Sequence, residues 1–419
     1  MSFKFIDLFA GIGGFHLALS KMGGECVFAS EIDSDARSIY EKNFGTEMQG
    51  KIAGDIIPFT LDNVSRAIPK HDLLAAGFPC QPFSKSGNQL GISEARGTLF
   101  YNIAKILEAK KPKYFVLENV RNLVGPQHKH TWALIIRILR DIGYRVSEIP
   151  TIYSPHLIPP ELGGSPQVRD RVYIVGIYVG PKKSWQHTDD DFYMPYKAHE
   201  SWSVNKWNLE KHLLQKDSEV LDIDLYKLSQ ERRDVIDIWQ DFIVKVGKKN
   251  GEKILPGFPL WEKNMTVRPN LTHDMPDWKI NFLKKNSAFY NENRAAITKW
   301  RKNNPGIKIM ANSFRKFEWQ ARDEKSLEDC LVQFRPSGLR VKKADYLPAL
   351  VAITQTSIIV SRNRSITVRE AARAQGFPDS FSFGKQKNSA SYKQLGNAVS
   401  VGTVKFVLSR FLDHYGEKL

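Results

Sequence analysis

Residues 3–14 read Phe3-Lys4-Phe5-Ile6-Asp7-Leu8-Phe9-Ala10-Gly11-Ile12-Gly13-Gly14, and Phe15–Lys21 follows with a helical pattern. An apolar run that stops in glycines and passes into a helix is a strand, a tight turn and a helix. The same succession recurs along the chain. Cys26–Ser30 is a short apolar run ending in Glu31, with helical pattern resuming over Ser34–Asn43. Leu73–Ala76 ends in Gly77-Phe78-Pro79-Cys80. Tyr114–Leu117 ends in Glu118-Asn119-Val120, between helical segments at Thr98–Lys110 and His130–Ile142, and Val172–Ile177 is a further strand. Strands alternating with helices specify an α/β fold with a parallel, doubly wound sheet. The chemically distinctive residues fall just past the carboxyl ends of the strands, where such sheets bind ligands.

The pattern changes after residue 178. Residues 179–333 hold eight of the nine tryptophans, and basic and aromatic residues mingle in Lys299-Trp300-Arg301-Lys302 and in Phe314–Trp319. Three stretches are therefore expected: 1–178, a second and smaller domain over 179–333, and a return segment, 334–419, that completes the first. In the return segment Thr367 can cap a helix that Gly376 stops, and Gln394–Val399 is a turn leading into a helix over Val401–Tyr415.

With 419 residues the chain has room for two domains. Its net charge of +16 favours a polyanionic partner, since phosphate contacts dominate non-specific nucleic-acid affinity; solubility alone is the plainer alternative. No apolar stretch approaches the ~18–20 residues that span a bilayer. The N-terminus lacks the plan of a signal peptide, so an intracellular protein with no membrane partner is expected. The three cysteines, Cys26, Cys80 and Cys330, form no C-x-x-C pair and no zinc spacing, so neither a disulfide framework nor a metal is expected.

Four constellations carry chemistry. Gly11–Gly14 lets the backbone approach a ligand at a helix N-terminus, although glycine turns also serve packing alone. His16 stands where a dinucleotide fingerprint needs its third glycine, which disfavours a nicotinamide site. Glu31, at the end of the next strand, suits two ribose hydroxyls, and Asp55 suits an adenine amino group. Phe78-Pro79-Cys80-Gln81-Pro82-Phe83-Ser84 brackets a cysteine with two prolines; a nucleophile needs that rigidity, whereas a core thiol does not. Glu118 follows a buried strand, where desolvation raises a carboxyl pKa and suits it to proton donation; a capping role is the alternative. Arg169 and Arg171 in Gln167-Val168-Arg169-Asp170-Arg171 point to one face of an extended segment and can hold a carbonyl oxygen, a phosphate or a carboxylate.

Taken together and in order, these runs resemble the DNA (cytosine-5)-methyltransferases. Phe5–Gly14, Gly77–Ser84, Glu118–Val120, Gln167–Arg171, Thr367–Pro378 and Gln394–Val399 are similar to six motifs of that family, over residues 3–178 and 335–410. One departure is Pro155–Pro166, which is longer than the family's usual lead into the glutamine–arginine motif.

The resemblance implies a Rossmann-like methyltransferase sheet with 179–333 as target-recognition domain. It implies S-adenosylmethionine as methyl donor, held by Phe9, Gly11, Gly13, Glu31, Asp55, Ile56, Asn397 and Val399. It implies Cys80 as the nucleophile that adds to C6 of a flipped-out cytosine, Glu118 at N3 and the exocyclic amine, and Arg171 at O2 with Arg169 supporting it. The implied partner is double-stranded DNA, met by a monomer in the bacterial cytoplasm, and the implied setting is a restriction-modification system with a cognate endonuclease. A related enzyme acting on RNA would keep the same core; the long middle region favours duplex DNA. A non-catalytic DNA-binding relative would have lost Cys80, Glu118 or the arginines, and all are present.

Overall fold

The computed structural model describes residues 2–61, 64–79, 98–186, 191–249, 252–253, 255–351 and 355–419. The chain divides into two compact units, one of residues 1–207, 348–353 and 371–419, the other of 208–347 and 354–370.

The first unit is built on the expected alternation. Strand β1 (Phe3–Leu8) leads into helix α1 (Gly14–Ser20), β2 (Gly24–Ser30) into α2 (Ser34–Met48), followed by the short β3 (Ile52–Ala53) and by β4 (Leu73–Gly77). Helix α3 (Leu99–Lys110), β5 (Tyr114–Val120), α4 (Lys129–Ile142), β6 (Tyr144–Arg145), β7 (Thr151–Tyr153) and β8 (Arg171–Tyr178) complete the first pass. The return segment adds α5 (Asn388–Asn397) and α6 (Val401–His414). The strand order is β3-β2-β1-β4-β5-β8-β6, with β7 also on β8. From β3 to β5 every pairing is parallel, whereas β8 runs antiparallel to β5, β6 and β7. The sheet is thus parallel-rich rather than wholly parallel. Near-continuous apolar runs such as Leu73–Ala76 reflect burial on both faces, as parallel sheets require.

Residues 179–207, expected with the second domain, belong to the first unit. Trp207 donates from its indole to the carbonyl of His156 at 2.8 Å, the amide of Phe192 donates to the Tyr415 hydroxyl at 3.2 Å, and that of Met194 to Thr151 Oγ1 at 3.0 Å. The long stretch Pro155–Pro166 packs on the return segment: Ser165 Oγ donates to the carbonyl of Ala374, and Gly163 lies so near Gly402 that a side chain on Gly402 would meet the Gly163 carbonyl oxygen at 1.8 Å.

In the second unit, Leu260–Trp261, Lys316–Gln320, Gly338–Lys343, Cys330–Arg335, Ile358–Ile359 and Arg364–Ser365 form one sheet in that order. Residues 334–347 and 354–370, expected with the return segment, belong here because they supply strands of this sheet. The aromatic residues that mingle with basic ones face inward. Trp239 stacks on Phe317 with centroids 4.6 Å apart, and Trp300 is fully buried beside it. In Lys316–Gln320 burial alternates, Phe317 and Trp319 pointing in, as a one-sided strand requires.

Candidate active site

The site is assembled at the carboxyl ends of β1, β2, β4 and β5. After β1 the backbone turns through left-handed conformations at Phe9 (φ 56°), Gly11 (φ 56°) and Gly13 (φ 91°). That conformation costs a phenylalanine about 1–2 kcal/mol, and strain of this kind concentrates at functional sites. Gly13 has no room for a side chain, since a Cβ there would stand 2.3 Å from the Phe44 ring. His16 fills the space where a dinucleotide fingerprint keeps a glycine: its ring stacks on Phe44 at 3.9 Å and its Nδ1 lies 2.7 Å from the Tyr40 hydroxyl. Burial pulls its pKa down to about 4, so the ring is neutral at physiological pH. Asp7, wholly buried beneath the turn, accepts from the amide of His16 at 3.2 Å, and desolvation holds its carboxyl well above the usual range.

Glu31 connects the turn to the end of β2. One carboxylate oxygen accepts from the amide of Gly11 at 2.7 Å and the other from that of Asp33 at 2.8 Å. A carboxylate has about four acceptor positions, so two remain for hydroxyl donors. The amide of Glu31 donates to the carbonyl of Ala53 at 3.0 Å, which brings the next strand end alongside. Beyond it Asp55 accepts from the amide of Ile57 at 2.9 Å and Ile56 is buried.

On the far side of β1, β4 ends at Gly77 and is followed by buried Phe78. Cys80 and the rest of its loop lie outside the described residues. What precedes the loop is fixed: Asn119 donates from its amide nitrogen to the Phe78 carbonyl at 2.8 Å, pinning the loop's entry to the end of β5. The other two cysteines are unsuited to attack. Cys26 is buried, bonded to the carbonyl of Phe28, and burial pushes its thiol up to about 12. Cys330 is buried in the second unit and bonded to the carbonyl of Ser326 at 3.2 Å.

Glu118 and Arg171 meet across the antiparallel β5–β8 pair. Val120 lies opposite Arg171 and Glu118 opposite Tyr173, so Glu118 and Arg171 are diagonal neighbours on one face. Arg171 Nε is 3.0 Å from Glu118 Oε1. Burial raises the Glu118 pKa; Arg171 and then Arg169 oppose that rise without cancelling it. A Cβ on Gly77 would stand 3.9 Å from Glu118 Oε2, which leaves this carboxyl facing the end of β4.

Arg169 is committed to backbone carbonyls of the return segment. It is buried, donates from Nη1 to the carbonyl of Leu350 at 2.9 Å, and from Nη2 to those of Gly396 and Ala398 at 2.9 and 2.8 Å. Desolvation and the adjacent Arg171 pull its pKa down to about 9, so it stays protonated at neutral pH. Its terminal nitrogens hold the turn between α5 and α6 against β8, while its charge still acts on Glu118. That turn carries Asn397, exposed, and Val399, buried. Val399 lies against the glycine turn: a Cβ on Gly14 would meet its Cγ2 at 2.7 Å, and one on Gly77 would meet its Cγ1 at 3.5 Å. The turn, Glu31, Val399, Glu118 and Arg171 thus gather around the ends of neighbouring strands. Asn119 holds the Phe78 carbonyl and Gly14 admits the Val399 side chain, two contacts that the motifs alone do not reveal.

A family profile for C-5 cytosine-specific DNA methylases matches residues 3–412. The chain belongs to that family. It is 38% identical to the type II methyltransferase M.AluI of Cellulosimicrobium cellulans, over 97% of this chain and 91% of that one. It is 32% identical to the type II methyltransferase M.HgiCI of Herpetosiphon aurantiacus, over 97% and 96%. The type II methyltransferase M.HhaI of Haemophilus parahaemolyticus matches at 41% identity over only 41% of this chain and 48% of its own. Among solved structures, a prophage-encoded E. coli protein described as a DNA modification methyltransferase covers 99% of this chain and 100% of its own, with a TM-score of 0.51 and 19% identity, which supports the fold. The methylase is a DNA cytosine-5 methyltransferase with a Rossmann-like catalytic sheet.

The two arginines of the glutamine–arginine motif should part company on substitution. Arg169→Lys strands buried carbonyls that a single ammonium cannot reach, and is expected to cost about 2–4 kcal/mol of stability. Arg171→Lys, at a partly exposed position, should cost less stability and more turnover. Urea unfolding and initial methylation rates of both variants check this; equal loss of stability would contradict the placement.

Proposed function

We propose that the methylase transfers a methyl group from S-adenosylmethionine to C5 of a cytosine flipped out of duplex DNA, through a transient bond between Cys80 and C6. The observation that carries the reading is the buried Glu118, raised in pKa and fixed beside Arg171, with Asn119 next to it pinning the backbone two residues before Cys80.

The residues of the first unit fit the methyl donor. The carboxylate of Glu31 keeps acceptor capacity for two ribose hydroxyls beside an open glycine turn. Phe9, Gly11 and Gly13 form that turn, Asp55 and Ile56 follow the adjoining strand end, and Asn397 and Val399 close the site from the return segment. Bound there, the donor supplies an electrophilic methyl on a sulfonium.

The protein's part is to make C5 nucleophilic. The Cys80 thiol loses its proton and the thiolate adds to C6, while Glu118 delivers its proton to N3, so that the ring gains electron density at C5 without building up charge. Arg171 donates to the O2 carbonyl, holding the base in plane. C5 then takes the methyl group and the sulfonium is neutralised. A base removes the C5 proton, the C6–S bond breaks, the ring double bond re-forms and N3 returns its proton to Glu118. A stacked base cannot reach this site, so extrusion at a cost of a few kcal/mol precedes chemistry.

The end-to-end similarity to type II methyltransferases supports duplex DNA as the substrate and a modification role beside a restriction endonuclease. Among the described residues no helix is long and apolar enough to cross a membrane. The second unit, residues 208–347 and 354–370, is the part we assign to target recognition.

Cys80→Ala is expected to abolish methyl transfer while duplex DNA binding persists in a gel-shift assay; a variant that still methylates refutes the mechanism. Exchange of residues 208–347 for those of a relative with another target should redirect methylation, read by methylation-sensitive sequencing. An unchanged target would overturn the recognition assignment.

A further inference from the structure

Asp170, between the two arginines, has no task in the mechanism above, yet it is the most heavily tethered carboxylate near Arg171. One of its oxygens accepts from Arg121 Nη1 at 2.7 Å and the other from the Tyr196 hydroxyl at 2.8 Å. The Arg121 guanidinium also lies over the Tyr196 ring, 5.6 Å from its centroid. The carbonyl of the same Asp170 accepts from Arg171 Nη1 at 2.9 Å. Arg121 directly follows β5, and Tyr196 comes from the stretch after β8 that Phe192 and Met194 bond to the sheet unit. The residue that holds Arg171 is therefore gripped from two sides by elements far apart in sequence.

We propose that Arg121 and Tyr196, acting through Asp170, are positioning residues that set the direction of the Arg171 guanidinium. Arginine is a long side chain with many rotamers, and fixing it takes more than one bond. Arg171 spends Nε on Glu118 and one Nη1 donor on the Asp170 carbonyl, and these two bonds fix the plane of its fork. If the Asp170 peptide rotates, the second of those bonds swings the fork off that plane. The two tethers on the Asp170 carboxylate prevent the rotation. This proposal rests on the reading of Arg171 as the partner of the base carbonyl.

The test uses the full-length enzyme. Tyr196→Phe removes one hydroxyl from a half-exposed ring and keeps the ring under Arg121, so the fold is retained. It is made alone and together with Arg171→Lys, and kcat, KM for a duplex oligonucleotide and the salt dependence of KM are measured across pH. Tyr196→Phe should lower kcat about five- to tenfold with KM within about twofold, and the loss should disappear in the Arg171→Lys background, as coupled residues require. The charged groups that face Glu118 are Arg171 and Arg169, with the buried Tyr173 hydroxyl nearby. Loosening Arg171 removes part of what lowers the Glu118 pKa, so the alkaline fall of kcat should move to higher pH. Equal losses in the two backgrounds, or a raised KM with an altered salt slope, would overturn the proposal; the latter would make Tyr196 and Arg121 contacts to the DNA backbone. If Arg171→Lys alone kept full turnover, the reading of Arg171 would fail and the proposal with it. Normal kcat in Tyr196→Phe beside a disabled Arg171→Lys would sink the proposal alone.

Discussion

A carboxyl group and a guanidinium 3.0 Å apart, at the point where a parallel sheet accepts an antiparallel strand, set the terms for this active site. Had β8 run parallel to β5, Gln167–Arg171 would lead in at the opposite end of the sheet, and Arg171 could not lie diagonal to Glu118. Antiparallel pairing brings the start of β8 to the end of β5. Burial alone would leave Glu118 neutral and holding its proton too tightly to give it up; a fully exposed ion pair would leave it ionised with no proton to give. Desolvation raises the pKa and two arginines oppose it, a balance that suits the proton exchange proposed for this group.

Around that pair the other contacts act as supports. Arg169 spends its two terminal nitrogens on backbone carbonyls of residues 350, 396 and 398, which locks the turn bearing Asn397 and Val399 onto the sheet. Val399 in turn presses on the glycine turn at Gly14. The C-terminal segment thus completes a site begun by the first fourteen residues, and a single buried guanidinium fixes the turn that reaches them. Such a group is costly to desolvate, so its removal should be felt more in the fold than in the chemistry.

The sequence made the strand–glycine–helix start, the strand ends and their chemical residues legible, because each is local: an apolar run, a turn signal and a polar residue at the break. It left three features hidden. The antiparallel direction of β8 depends on connection geometry that no periodicity encodes. The separate tasks of Arg169 and Arg171 were obscured because a two-residue spacing puts both on one face, whereas Arg169 reaches carbonyls more than 180 residues away. The stretch 179–207 carries three tryptophans and no clear pattern, so it read as the start of another domain, although Phe192, Met194 and Trp207 bond it to the sheet unit. In the second unit the mixed basic and aromatic runs marked a change of domain, and aromatic members of them, Trp300 and Phe317, are core residues beside Trp239.

The proposed chemistry depends on a bond between one sulfur and one pyrimidine carbon. Duplex DNA carrying 5-fluorocytosine at the target position lacks the C5 proton whose loss releases the enzyme. Incubated with the methylase and S-adenosylmethionine, it should yield a denaturation-resistant complex whose peptide map places the methylated base on Cys80. No complex, or a complex through Cys26 or Cys330, would contradict the account.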